Sequence, residues 1–427
     1  MHRFLCRGCA WLAVTVGFSG QALAQTPALT WPEIRARFEA TNPSLLAGLI
    51  GLDESRAAEI TAYLRPNPTL TATGDQIGHN DNGKPFDDFL LTTSVSYLHE
   101  RERKRELRRD SAQKATAIAL SNQADLDRNL TFTLRGAFVQ VLQAKTVLAL
   151  ARDNLTFFDQ VLNVSRDRFQ AGDIAQIDLD RLELQRVQYE SDLQTADVNV
   201  RTSKIQLLML LNDRTPVDEF DVTGPFDYAE LTRPLDGLRQ IALDLRPDLR
   251  AAIQAIDKAK SDHQLAIANG STDPTFNVDA GLPGLSQVAQ SYAPPLYEFV
   301  GVGVSVPLRI FDKNQGEKLR TQLDIGRNKR LTDVARAQVF RDVDSAYATI
   351  ESTITLLRPY RTSYLTRATN VRDTVTFSYE RGGASLLDFL QAQQDYRSVQ
   401  LGYVNLVGTY LTAASQLNLA VGQEVIQ

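Results

Sequence analysis

The sequence predicts a mainly α-helical protein with a small β part, built from two similar halves. Three observations predict this fold class: an internal repeat at a separation of about 210 residues, short alternating apolar segments that occur in pairs, and a proline-free stretch at 100–171. In each half we expect a helix, two strands and then two long helices.

Residues 1–24 predict an export signal. Two arginines precede a short apolar segment at 10–18, and the sequence Ala-Leu-Ala at 22–24 supplies a small-x-small cleavage site. Cleavage there would remove Cys6 and Cys9, which are the only cysteines of the chain. We therefore expect an exported protein with no disulfide, no thiol chemistry and no lipid anchor.

The repeat is clearest around two glycine-containing turns. Gly172 aligns with Gly382, and Asp178 aligns with Asp388, both at a separation of 210 residues. Further matches occur in the same order in both halves, which indicates duplication. We expect four parts: a signal peptide at 1–24, a first structural repeat at 25–212, a linker at 213–234 and a second structural repeat at 235–427.

Alternating segments near 70–72, 89–97, 274–281 and 299–307 predict four strands, two in each half. In the last of them, valines alternate with glycine and serine, so one face is apolar and the other is small or polar. Half-buried hairpins of a soluble sheet would show the same pattern. Aromatic residues near the predicted strand ends lie where an interfacial girdle would be placed: Phe86, Phe89, Tyr97, Tyr292 and Tyr297.

Each predicted hairpin is followed by long helices. The stretch 100–171 would extend on the order of 100 Å as one helix, which requires coiled-coil packing. Heptad spacing marks the buried side of the following helix in each half. The predicted contact residues are Leu182, Tyr189, Leu193, Ala196, Val200 and Leu207 in the first half, and Ala392, Tyr396, Val399, Tyr403, Leu406, Tyr410, Ala413 and Leu417 in the second.

Four strands cannot close a barrel, and exported strands with free edges need partners. Three copies would supply twelve strands, which is a feasible membrane barrel. The same assembly would arrange the long helices around a hollow axis. The sequence therefore predicts a trimeric 12-stranded β-barrel on a helical periplasmic tube.

Composition excludes several other classes. The chain of 427 residues has 46 basic and 51 acidic residues, so it lacks the basic excess of a nucleic-acid binder. Three histidines, His79, His99 and His263, remain after the signal, and they are widely separated. No metalloprotease, hydrolase or phosphate-loop motif occurs. We expect no enzymatic activity, no cofactor and no metal site.

The order of motifs resembles the TolC-like outer membrane efflux proteins. The matching segments are AGDIAQIDLDRLELQ at 171–185, RGGASLLDFLQAQQDY at 381–396, LRPNPTL at 64–70 and SVPLRIFDKNQGEK at 305–318. The resemblance implies a homotrimer in the cell outer membrane, in contact with its lipids, with a large periplasmic portion. It also implies a periplasmic adaptor and an inner-membrane efflux pump as partners. The first tip is similar to that of the heavy-metal-cation subgroup.

The resemblance also assigns roles to the two turns. It implies that the helix-turn tips contact the adaptor, here at Gly172, Gly382 and Gly383, and narrow to an aperture. An aspartate of the family's constriction matches Asp388, and its repeat equivalent is Asp178. Helix capping or a solvated position would equally explain either aspartate. Gln391 stands where the family often has a second acidic residue.

Two matters stay open at this point. The run RERKRELRR at 101–109 fits either a membrane–periplasm boundary or a solvated helix face with paired charges. The function fits an efflux conduit, with an exit duct for type I protein secretion or an exported coiled-coil structural protein as the alternatives.

Overall fold

The computed structural model describes residues 28–75, 90–230, 233–283 and 299–426. The export signal, both hairpin loops and four of the predicted girdle aromatics (Phe86, Phe89, Tyr292 and Tyr297) lie outside these residues, as does His79. The first half contains α1 (Trp31–Thr41), α2 (Pro43–Tyr63), β1 (Thr69–Asp75), β2 (Leu90–Leu98), α3 (Lys104–Gln170) and α4 (Gln176–Leu210).

The second half repeats this order with one difference. We expected a single long helix after the second hairpin, but a five-residue π-helical segment at Tyr360–Tyr364 interrupts it. Pro359 immediately precedes the segment and lacks the N–H that an α-helical bond needs, which accounts for the break. The elements are α5 (Leu235–Leu245), α6 (Pro247–Ala268), β3 (Thr275–Pro283), β4 (Phe299–Ser305), α7 (Gln315–Pro359), α8 (Leu365–Glu380) and α9 (Leu386–Val421).

The four strands form one antiparallel sheet in the order β1-β2-β3-β4. Each half contributes one hairpin, and β2 pairs with β3 to join the halves, with Val95 opposite Val278. Within the described part of the chain, β1 and β4 each pair on one side only. As far as the described residues extend, the sheet therefore ends in two free edges.

The helices pack side by side as a layer beneath the sheet. Close to the strands, neighbouring helices follow one another across the layer in the order α2, α3, α6 and α7. Farther from the strands, the order across the layer is α4, α3 and α9, followed by α7 and α8. Thus α2 and α4 lie at one edge of the layer, while α7 and α8 lie at the other. Among the described residues, no helix combines the length and the apolar character required to cross a membrane.

Buried apolar side chains occur in separate clusters along the layer. Two lie in its middle part, and a third joins the two helical turns. The predicted linker packs into the middle clusters, where Phe220, Val222 and Tyr228 are buried. It also forms an isolated parallel bridge between Val222 and Leu29. The linker therefore contributes to both cores.

The heptad prediction for α4 is confirmed. Five of its six predicted contact residues are buried, and Leu193 packs at the edge of a small cluster. In α9 the prediction is confirmed for four of its eight residues: Ala392, Tyr410, Ala413 and Leu417 are buried. The other four, Tyr396, Val399, Tyr403 and Leu406, are half-buried. Additional residues of α9 are buried on other sides of the helix, because α3, α7 and α8 all pack against it.

Candidate functional site

The turn between α3 and α4 requires a left-handed residue. Gly172 has φ +84°, which glycine adopts without a Cβ clash. Its N–H donates to the carbonyl oxygen of Phe169 at 3.0 Å, and the N–H of Asp173 donates to that of Arg168 at 2.8 Å. These bonds satisfy carbonyl groups at the end of α3 and reverse the chain sharply.

The turn between α8 and α9 has the same construction. Gly382 has φ +77°, and its N–H donates to the carbonyl oxygen of Tyr379 at 3.0 Å. The N–H of Gly383 donates to the carbonyl oxygen of Ser378 at 2.8 Å. A Cβ at Gly383 would lie 2.9 Å from the Ser378 hydroxyl, so a larger residue would force a shift. All three glycines are exposed.

Asp388 and Asp178 occupy the same position, the third residue of the helix after each turn. Asp388 takes part in a capping box: its N–H donates to the Ser385 hydroxyl oxygen at 3.2 Å, and its carboxylate accepts from that hydroxyl at 2.7 Å. The N-cap before Asp178 is Ala175, which has no capping side chain. Asp178 instead lies 3.8 Å from the Arg181 guanidinium.

An aromatic stack connects the two turns and was not foreseen from the sequence as a unit. Phe158 stacks on Tyr189 with ring centroids 4.6 Å apart, and Phe389 stacks on Tyr379 at 4.9 Å. The two pairs meet where Phe158 and Phe389 lie 6.3 Å apart. Only Tyr189 carried a sequence signal, its heptad position, because spacing along one helix does not identify partners on another.

A charged contact lies beside this stack. The Arg397 guanidinium of α9 pairs with the Asp192 carboxylate of α4 and lies 4.4 Å from the ring centroid of Tyr189. The helices of the two repeats are therefore joined by both apolar and ionic contacts. Each side of the contact comes from a different half of the chain.

The sheet has one exposed apolar face. Its register places Leu70, Val95, Val278 and Val302 in one row across all four strands. Val302 is 84% exposed and Leu70 is 72% exposed. The opposite face carries polar and small residues such as Thr69, Ser96, Asn277 and Gly303, which confirms the predicted alternation.

The described part of the chain does not bring metal-binding groups together. In the described ranges, no three His, Cys, Asp or Glu side chains are arranged to hold a metal ion. His263 is hydrogen-bonded to the Thr321 hydroxyl at 2.9 Å, and His99 packs against Phe276. Both histidines are thus engaged in packing or hydrogen bonding between elements.

Comparison with known proteins identifies the same architecture. Residues 238–423 match the family model for outer membrane efflux proteins. The chain is 21% identical over 386 residues to the cobalt-zinc-cadmium resistance protein CzcC of Cupriavidus metallidurans, covering 90% of this chain and 87% of that one. It is 23% identical over 341 residues to the pyoverdine export outer membrane protein OpmQ of Pseudomonas aeruginosa, covering 79% and 70%.

A solved structure agrees with this result. The fold is similar to that of CusC, with a TM-score of 0.77 at 15% sequence identity over 91% of each chain. At this level of identity the likeness concerns the fold. It extends over both repeats and therefore includes the part of the chain that precedes the family-model match.

Proposed function

The chain belongs to the outer membrane efflux protein family, and from that membership we propose that three copies close into one channel. The protein is the outer membrane channel of a tripartite efflux system, a passive conduit with no enzymatic activity. It lies in the outer membrane with a large periplasmic portion. What we propose beyond this is the trimer, its barrel and the roles of individual residues.

The free edges of the sheet support closure by copies of the chain. Unpaired N–H and C=O groups on β1 and β4 would be costly inside a membrane, so each edge needs a strand partner. Pairing β4 of one copy with β1 of the next supplies it. Three copies then give twelve strands, with the apolar row of Val95 and Val302 facing lipid.

The helical layer supports the same closure. Its two edges differ from each other, so the contact between copies is head-to-tail and closes only as a ring. Both edges expose large apolar side chains that a neighbouring copy would cover. These are Leu46, Leu49, Ile50 and Ile60 on α2, Leu184, Val187, Val198, Ile205 and Met209 on α4, Leu319, Leu323, Leu331 and Val334 on α7, and Val371 and Phe377 on α8.

The observation that carries the proposal is the sheet with two free edges and one exposed apolar face. Its test compares Val302→Lys on that face with Ser96→Lys on the opposite face. A lysine facing lipid costs about 2–4 kcal/mol near the membrane midplane. We expect Val302→Lys to lose most of the heat-modifiable oligomer in outer membrane fractions, whereas Ser96→Lys retains it. Equal loss in both variants would contradict the assignment of faces.

The two turns are proposed as the periplasmic end of the channel. Gly172, Gly382 and Gly383 lie at exposed reversals, where an adaptor could reach the helix tips. A photo-crosslinking residue at Arg381, beside the second turn, should capture the adaptor in cells. The same residue at Arg330 on α7 should not. Capture at both positions or at neither would contradict the contact.

Asp388 and Asp178 are proposed as residues of the aperture. Three-fold symmetry would turn each aspartate into a ring of three carboxylates that favours cations. Asp388→Ala removes both the charge and the capping contact, whereas Ser385→Ala removes only the cap. We expect Asp388→Ala to lower cation selectivity in planar bilayers and Ser385→Ala to leave it unchanged. Equal effects would show that capping is the only role of Asp388.

The proposed substrate class is divalent metal cations. CzcC, whose name records cobalt, zinc and cadmium resistance, is matched over 87% of its length. A deletion strain should become sensitive to these metals and recover with the intact gene. Loss of a secreted protein without metal sensitivity would instead favour a type I secretion duct.

The proposed division of the chain keeps the two repeats at 25–212 and 235–427. The repeated order of helices, strands and glycine turns supports it. The linker at 213–234 crosses between them and packs into both middle clusters. Deleting this segment should therefore prevent folding of both halves, as judged by protease resistance.

A further inference from the structure

A pocket of about 160 Å³ lies where the sheet meets the helices. Its lining includes Arg65 before β1, Tyr97 and His99 at the end of β2, and Arg105 in the first turn of α3. The register places Tyr97 in the same row as Phe276, and the His99 ring packs edge-on against Phe276 at 6.4 Å. The pocket therefore adjoins the end of the apolar face.

Two carboxylates, those of Glu100 and Glu106, also line the pocket, and both are already engaged. Glu100 accepts two hydrogen bonds from Arg108, one of them at 2.8 Å. Glu106 lies 3.3 Å from Arg105. Outside the pocket lining, Asp273 pairs with the buried Lys104 at 2.6 Å. An incoming anion would thus meet carboxylates whose charge is compensated.

Several cations of the junction lack such partners. In the part of the chain that the structure describes, Arg65, Arg101, Arg103 and Arg109 have no carboxylate within salt-bridge distance. The guanidinium groups of Arg105 and Arg109 both lie 4.4 Å from the ring centroid of Tyr63. Of the unpaired arginines, Arg65 lines the pocket and Arg109 lies on the ring of Tyr63, so the junction holds uncompensated positive charge.

We propose that this pocket binds the phosphate of an anionic phospholipid, with the acyl chains along the apolar face. Guanidinium groups suit phosphate because their planar donors form paired hydrogen bonds with its oxygens. A tyrosine beside them suits the boundary between hydrocarbon and water. The inference depends on the proposed function, which puts the sheet in the membrane.

Charge selects the class of lipid. A zwitterionic headgroup presents the same phosphate together with a cationic ammonium group, which the unpaired arginines would repel. An anionic headgroup presents the phosphate without that repulsion. We therefore expect preference for phosphatidylglycerol over phosphatidylcholine, with each arginine contributing about fivefold in affinity.

Native mass spectrometry of the full chain, extracted from outer membranes in detergent, tests this preference. Phosphatidylglycerol or phosphatidylcholine is titrated against the wild type, Arg65→Gln and Arg65→Gln/Arg105→Gln. Arg65 has no ion pair with any described residue, so its single substitution should leave folding intact. Arg327→Gln/Arg330→Gln, two exposed residues of α7, is the matched control for total charge.

We expect the wild type and the control to prefer phosphatidylglycerol, the single variant to lose about fivefold in affinity and the double variant more. Equal retention of both lipids by the wild type, or equal losses in the control, would overturn the proposal. So would displacement of the lipid by millimolar inorganic phosphate, since the site would then bind free phosphate. If the wild type forms normal oligomers in the outer membrane but shows no lipid preference, only the lipid site is contradicted. If the wild type forms no oligomers there, the proposed function is contradicted.

Discussion

The Arg168 guanidinium, in the last turn of α3, donates a hydrogen bond of 2.8 Å to the carbonyl oxygen of Tyr379, near the end of α8. Arg168 also lies 5.5 Å from the ring centroid of Tyr379. One side chain thus connects the chain reversals of the two repeats, next to the aromatic stack. The two proposed tips are therefore held together within one copy of the chain.

Truncating the centre of the stack should loosen the tip. Phe389 is fully buried, so Phe389→Ala should lower the free energy of local opening by about 3–5 kcal/mol. Hydrogen exchange of the backbone amides in α8 and the start of α9 measures this. Leu387→Ala is the control, because that side chain is 75% exposed and should cost less than about 0.5 kcal/mol. Equal exchange in the two variants would contradict the role of the stack.

The buried pair of Lys104 and Asp273 should make the stability of the fold depend on pH in the acidic range. Burial raises the pKa of Asp273, but hydrogen bonds from Lys104 and from the Arg101 N–H outweigh it and lower the pKa overall. A lowered folded pKa stabilises the fold above the unfolded value of about 4, and this stabilisation is lost as the pH falls below it. Lys104→Met should cost about 3–5 kcal/mol at neutral pH. In thermal unfolding, Lys104→Met should destabilise the protein less at pH 3 than at neutral pH. The same loss of stability at both pH values would contradict this role of the pair.

Asp127 should behave in the opposite way. Burial raises its pKa, with the nearby Arg35 only partly opposing the effect. A raised folded pKa means that ionisation costs stability, and the cost grows as the pH rises through that value. Asp127→Asn should therefore raise the melting temperature at pH 7 and have little effect at pH 3. Asp125→Asn, which breaks the contact with Arg128, should lower the melting temperature at pH 7.

The start of α3 stores backbone strain. Arg103 has φ +53°, and Asn314 has φ +61° at the corresponding position before α7. The left-handed conformation costs a residue with a Cβ roughly 1–2 kcal/mol. Arg103→Gly should therefore raise the unfolding free energy by up to about 1 kcal/mol after the entropic cost of glycine. Arg103→Ala keeps the Cβ and should not stabilise the protein. If chemical denaturation gives the same increase in unfolding free energy for both variants, strain relief is excluded.

Much of the fold could be predicted because it depends on local periodicity. Alternation located the four strands, and heptad spacing located the buried side of α4. Gly172 and Gly382 marked the turns because a left-handed reversal favours glycine. The break at Pro359 could also have been predicted from proline chemistry, but the comparison of repeats favoured a continuous helix.

The remaining features depend on contacts between distant segments. Phe158 and Phe389 lie in different repeats, and nothing in the spacing of either helix indicates their contact. The capping box of Ser385 and Asp388 is local, so its sequence pattern could have identified it. The burial of Lys104 within a basic run could not be predicted from the sequence, because its partner Asp273 lies far along the chain.

The number of chains in the assembly tests the central claim most directly. Native mass spectrometry of the complex extracted from outer membranes should give a mass of three mature chains, since three sheets of four strands complete a twelve-stranded barrel. A mass of one or two chains would contradict the account.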